Sequence, residues 1–143
     1  MPAISFFEED IAYKLKDKTK VRKWIIDTIV AEGYKLDELT YVFCSDEYLL
    51  SINQQYLNHD TYTDIITFDN SDEKGVITGD IFISIPRIME NAATFKVSPT
   101  DELHRVIIHG ALHLLGYLDK KPADKQKMTE KEDYYLAKRQ FIS

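Results

Sequence analysis

Residues Glu102–Asp119 read ELHRVIIHGALHLLGYLD. With His109 taken as the reference direction, Leu103, Ile107, Ala111 and Leu114 fall on the opposite side of a helix, while Glu102, Arg105, His113 and Gly116 fall on its own side. Such a helix seats one face in a core and presents polar side chains from the other. His109 and His113, four residues apart, place both imidazoles on that polar face within reach of a single ion. Gly116 follows where a helix ends in left-handed backbone, which glycine adopts at least cost. The chain then doubles back and Asp119 returns toward the histidines with an oxygen ligand. Two imidazoles, one carboxylate and a fourth position open to water form the donor set of catalytic zinc, whereas structural zinc is usually closed by four protein ligands. Two histidines at this spacing are also ordinary helix residues. The full HxxxHxxGxxD pattern carries the expectation of one zinc per chain on His109, His113 and Asp119. His104 points away from this face, and His59 lies in a distant loop.

Working outward, Ser98-Pro99 opens this helix as cap and first residue, and Pro86 starts another that runs to about Phe95. Asp64–Phe68 (DIITF) and Val76–Ile85 (VITGDIFISI) flank the polar stretch 70–75, which ends in Gly75, and this reads as a hairpin. Ser45-Asp46 caps a helix over Glu47–Leu57. Leu39–Cys44 and Ala3–Phe7 read as strands, and Thr19–Glu32 has the 3.6-residue period of an amphipathic helix, with Val21, Trp24, Ile25, Ile26 and Ile29 inward and Gly33 as its stop. The order strand, helix, strand, helix, two strands, then helices predicts an α+β fold: a small mixed four-stranded sheet with helices covering one face, and the metal site on a long helix and the turn after it.

The chain has 143 residues, 44% of them hydrophobic, which suits one domain over 1–143 with one core. No apolar run is long enough to span a membrane and the N-terminus lacks the pattern of a secretory signal, so a soluble, cytoplasmic protein is expected. The single cysteine, Cys44, sits in an apolar run and is expected to be buried. A net charge of −6 argues against nonspecific coating of nucleic acid while allowing a local basic groove. Lysine and arginine cluster over 14–23 and 120–127, which reads most simply as solvated helix ends and turns.

The pattern departs from the zinc-protease signature HExxHxxGxxH, because Gly110 stands where those enzymes carry their general base. HGALHLLGYLD instead resembles the HGxLHLxGYDH motif of the YbeY family of bacterial single-strand-specific endoribonucleases, which act in ribosomal RNA maturation. INQQYLNHDTYTDIITF (Ile52–Phe68) is similar to the family's LNxxYRxxDxPTDVLSF, and TGDIFIS (Thr78–Ser84) to its LGDIxIS. The three blocks follow the family's order.

The resemblance implies an α+β metallohydrolase with zinc on three histidines. His109 and His113 match the first two, Asp119 stands at the third, and Leu118 replaces the preceding aspartate. A carboxylate is a competent zinc ligand that adds one negative charge to the site. The family's arginine after the tyrosine, thought to help bind or cleave RNA, falls on Leu57, which offers neither charge nor donors. Arg105, one turn before His109 on the ligand face, is the nearest replacement, with an ion pair to Glu102 as its simpler role. Asp64 and Asp80 match the family and are candidates for lining the cleft, orienting a histidine or activating water. Tyr62 and Tyr117 are candidate platforms for stacked bases, or else packing residues. The implied partners are single-stranded RNA, small-subunit ribosomal RNA and a ribosomal protein or ribosome-associated GTPase. The rival readings are a zinc-containing, non-catalytic ribosome-assembly factor and a metal-dependent hydrolase of another substrate.

Overall fold

The computed structural model describes residues 3–141. Four strands, β1 (Ile4–Glu9), β2 (Lys35–Cys44), β3 (Ile65–Asp69) and β4 (Val76–Ser84), form one sheet in the order β1-β2-β4-β3. β2 runs parallel to β1 and to β4, and β3 pairs antiparallel with β4 as a hairpin. The helices are α1 (Lys18–Ala31), α2 (Asp46–Leu57), α3 (Ile85–Phe95), α4 (Pro99–Leu114) and α5 (Pro122–Leu136). The mixed sheet of the sequence reading is therefore present. β2 begins four residues earlier than its apolar run, because three of its first four residues, Lys35, Asp37 and Glu38, are polar and exposed.

The strand period of two sorts the side chains between the two faces. Ile4 and Phe6, Leu39, Tyr41 and Phe43, and Ile77, Ile81 and Ile83 share the main core with Val21, Ile25 and Ile29 of α1 and with Leu103, Ile107 and Ala111 of α4. The buried Tyr41 hydroxyl donates to the Ile107 carbonyl at 2.9 Å and pins α4 to the middle of the sheet. The expectation that helices cover one face needs correction. α2 lies on the opposite face, where Leu49 and Ile52 meet Cys44 and Ile66 in a second, smaller cluster. Residues 46–57 show helical apolar spacing in the sequence, but spacing does not say which side of a sheet a helix takes. Cys44 is buried as expected, and burial together with Asp46, Asp10 and Glu9 pushes its thiol up to about 12.

Serine caps account for the starts of α2, α3 and α4. Ser45, Ser84 and Ser98 each accept a backbone N–H with the side-chain oxygen, from Tyr48, Arg87 and Asp101 respectively. Gly116 has φ +105 and turns the chain back after α4. No described helix is long and apolar enough to cross a membrane.

Candidate metal centre

The platform of the site is α4, held close to the sheet by two glycines. A Cβ on Gly110 would stand 2.9 Å from Ile65 Cδ1 and 3.0 Å from Ile81 Cδ1, and one on Gly79 would stand 2.6 Å from the Phe68 carbonyl oxygen and 3.0 Å from Leu114 Cδ1. The position that carries a glutamate base in zinc proteases thus faces the buried Ile81 and the half-buried Ile65 here. His109, next along the helix, is turned away from that packed surface.

His109 is the centre of the cluster. Its Nδ1 lies 2.6 Å from Glu132 Oε2 on α5, and its Nε2 lies 3.2 Å from Asp119 Oδ2. Burial opposes its protonation, but Glu132, Asp119 and Asp64 outweigh burial and hold its pKa above the ordinary imidazole value. The ring of His113 is parallel to that of His109, with centroids 6.4 Å apart, and its Nδ1 is 3.2 Å from the Tyr117 carbonyl oxygen. Asp64, at the entry to β3, is close enough to sense His109. Burial raises its pKa, with His109, the backbone N–H groups of Asp64 and Ile65, and Arg87 pulling the other way. Glu102 is buried beside it and its pKa is raised by burial first and by Asp64 second.

The turn carrying Asp119 is fastened at several points. Tyr34 donates from its hydroxyl to the Leu115 carbonyl at 2.8 Å, and the hydroxyls of Tyr117 and Tyr135 both donate to Glu32, which also pairs with Lys131 at 3.0 Å. Burial would raise the Glu32 pKa, yet these three donors bring it below the ordinary glutamate value. Tyr117 is therefore a packing residue whose ring also lies under Lys127 and Lys131. Tyr62 is exposed, donates to Glu47 and lies beneath Arg87.

The donor set fits zinc. With Nδ1–H of His109 donating to Glu132, the neutral ring turns its Nε2 lone pair toward a carboxylate oxygen 3.2 Å away, so that a metal ion can take the place of the proton between them. Donors about 2.1 Å from a tetrahedral ion stand about 3.4 Å apart, close to that spacing. Donation from His113 Nδ1 to the Tyr117 carbonyl likewise leaves its Nε2 free to bind. Among the described residues no three His, Cys, Asp or Glu side chains are already gathered to hold an ion.

The other sequence-derived residues divide. Arg105 is on the ligand face as expected, but its partners are Glu132 (2.8 Å) and Asp133 (2.6 Å) on α5 rather than Glu102. Asp80 accepts from Asn70 at 3.0 Å and stands between Gly79 and Ile81, both of which face α4. Strand alternation therefore sends its side chain to the opposite face of the sheet, away from His109. Leu57 ends α2 and is exposed, as is His59 in the following loop. His104 is buried against Trp24 and Phe141, accepts from Arg139 at 2.8 Å, and has its pKa lowered to about 4, by burial first and Arg139 second. Glu132 is the member that sequence reasoning missed. It lies in KQKMTEKEDYY, a charged stretch whose sparse inward positions, Met128, Glu132 and Tyr135, give no apolar stripe to mark one face.

Comparison with known proteins supplies an independent line. Residues 4–140 match the sequence profile of the family described as Endoribonuclease YbeY. The chain is 52% identical over 138 residues to the Endoribonuclease YbeY of Cytophaga hutchinsonii, covering 96% of each chain. It is 50% identical over 132 residues to that of Flavobacterium psychrophilum, covering 91% of this chain and 92% of the relative. The solution structure of TM1509 from Thermotoga maritima superposes with a TM-score of 0.66 at 26% identity, over 93% of this chain and 86% of that one.

Proposed function

The chain belongs to the YbeY family of endoribonucleases, and from that premise we propose that it is a zinc-dependent endoribonuclease that cleaves single-stranded RNA in the maturation of small-subunit ribosomal RNA. In this reading it works in the cytoplasm, with a ribosomal protein or ribosome-associated GTPase as a further partner. The observation that carries the metal assignment is the facing pair His109 Nε2 and Asp119 Oδ2, backed by Glu132. His109, His113 and Asp119 hold one zinc ion per chain. Zinc bound there supplies Lewis acidity toward a phosphate oxygen and lowers the pKa of water.

The chain's own residues do the rest. Asp64 is a carboxyl close to His109 whose pKa is raised by burial, the kind of perturbed group that suits proton transfer. Arg105 meets a phosphate by exchanging the exposed Asp133 for it while Glu132 keeps the guanidinium in place. Asp80, on the other face, has no part in this reading. The crowding around Gly110 weighs against a protease-like base on α4.

Leu57 favours one second reading, the non-catalytic assembly factor, because an exposed leucine stands where the family carries a cation. Single-turnover cleavage of a short single-stranded RNA, with and without chelator, separates the two. Wild type is expected to cleave and to lose activity with chelator, as is His113→Ala without it. Arg105→Ala is expected to lower the rate by about two orders of magnitude, and Leu57→Arg to change it little. A wild type that cleaves no better than a metal-free control would leave the assembly-factor reading, and a large gain in Leu57→Arg would show that Arg105 does not supply the missing charge.

A further inference from the structure

We propose that Glu132 is the positioning residue of this centre: one buried carboxylate that fixes the ligand face of His109 with one oxygen and anchors Arg105 with the other. The inference rests on the zinc reading above and goes beyond it in giving α5 a place in the site. Oε2 of Glu132 is 2.6 Å from His109 Nδ1, and Oε1 is 2.8 Å from Arg105 Nη1. Glu132 is only 7% exposed, so these bonds are largely shielded from competing water. An imidazole offers two nitrogens, and the one that binds metal is decided by the bond the other makes. Glu132 takes Nδ1 and thereby leaves Nε2 toward Asp119.

The geometry demands two acceptors from one side chain. Both His109 Nδ1–H and Arg105 Nη1–H point at Glu132, and a carboxylate accepts both. A glutamine of the same shape has one acceptor and one donor, so Glu132→Gln must give up one bond or set a donor against a donor. Met128 and Tyr135 are buried on the same helix, and Trp24 Nε1 donates to the Tyr135 carbonyl at 2.7 Å, so α5 keeps its seat without this carboxylate.

The test uses the full chain as wild type, Glu132→Gln, Arg105→Ala and the double variant, with folding checked by thermal melts of the zinc-free proteins. Zinc affinity is read by competition with a chromogenic chelator, and kcat and KM with a short single-stranded RNA at saturating zinc. Glu132→Gln is expected to raise the zinc Kd about ten- to a hundredfold. Arg105→Ala should leave that Kd within about twofold and raise KM, as a guanidinium that contacts phosphate requires. Glu132→Gln should also raise KM, and the double variant should have a KM no higher than Arg105→Ala alone, because both changes act through the same guanidinium. A folded Glu132→Gln protein with wild-type zinc affinity overturns the proposal. Should that variant not fold, Glu132→Asp keeps the charge and both oxygens but is one methylene short of spanning both partners, and wild-type values of zinc Kd and KM together would overturn it equally. A wild type without zinc affinity is a different failure, one that removes the metal centre itself.

Discussion

α4 and α2 pack on opposite faces of one sheet, and both lie in stretches that resemble the same family, yet they are built to different standards. α4 is buried along most of its length, pinned by Tyr41, closely approached by the sheet at Gly79 and Gly110, and buttressed by α1 and α5. α2 buries only Leu49, Ile52 and Asn53, and its last residues, Tyr56 and Leu57, stand in solvent. A site that must hold several donors in fixed relation belongs on the first kind of helix. The contrast also explains how a chain with the family's motifs can carry leucine at position 57: nothing in the packing of α2 depends on that side chain.

The largest effect expected from this contrast is in the main core. Ile107→Ala, at a fully buried position facing the centre of the sheet, should cost about 4 kcal/mol in urea unfolding, whereas Leu49→Ala in the smaller cluster should cost about 2 to 3 kcal/mol, because a thin layer collapses more readily around a cavity. Equal losses would show that the two faces are packed alike.

A comparable effect depends on pH. His104 is buried and neutral, with a pKa lowered from 6.5 to about 4. Between those values the unfolded chain binds a proton that the folded chain refuses, so stability is fully present above about pH 6.5, falls as the pH is lowered through that window, and levels off below pH 4. The full difference is about 3 kcal/mol. His104→Gln, which can still accept from Arg139, should remove that part of the pH dependence. If its unfolding free energy tracks wild type in slope between pH 6.5 and 4, His104 is not the group responsible.

Smaller effects grade the approach of α4 to the sheet. Gly79→Ala forces a Cβ against a backbone carbonyl and should cost about 2 kcal/mol. Gly110→Ala meets isoleucine tips that can give, and a gain in helix propensity offsets part of the strain, so about 1 kcal/mol is expected. The reverse order, read from melting curves, would contradict the close contacts described. Smallest of all, Leu57→Arg at an exposed helix end should shift stability by no more than about 0.5 kcal/mol, which makes it a clean probe of activity.

The sequence was most informative where local chemistry decides structure. Serine caps at 45 and 98, the left-handed turn at Gly116, the inward stripe of α1 and the hairpin over 64–85 all follow from residues near one another in the chain, and the structure places them as read. The meeting of His109 with Asp119 belongs to the same class, being set by helix geometry and one glycine. What was not legible depends on tertiary placement. The side of the sheet that α2 occupies, the outward turn of Asp80 and the capture of Arg105 by Glu132 and Asp133 are choices between distant elements. α5 escaped notice because its buried stripe includes a charge, and that charge is the one that binds His109. An amphipathic pattern finds helices that bury apolar surface, and it is silent about a helix whose task is to deliver a carboxylate.

Whether His109, His113 and Asp119 make one zinc site is read from zinc per chain in wild type, His113→Ala and Asp119→Ala proteins purified and dialysed alike. About one zinc per chain is expected in wild type, essentially none in His113→Ala, and weakened retention in Asp119→Ala. Stoichiometric zinc in the His113→Ala protein would contradict the site as described.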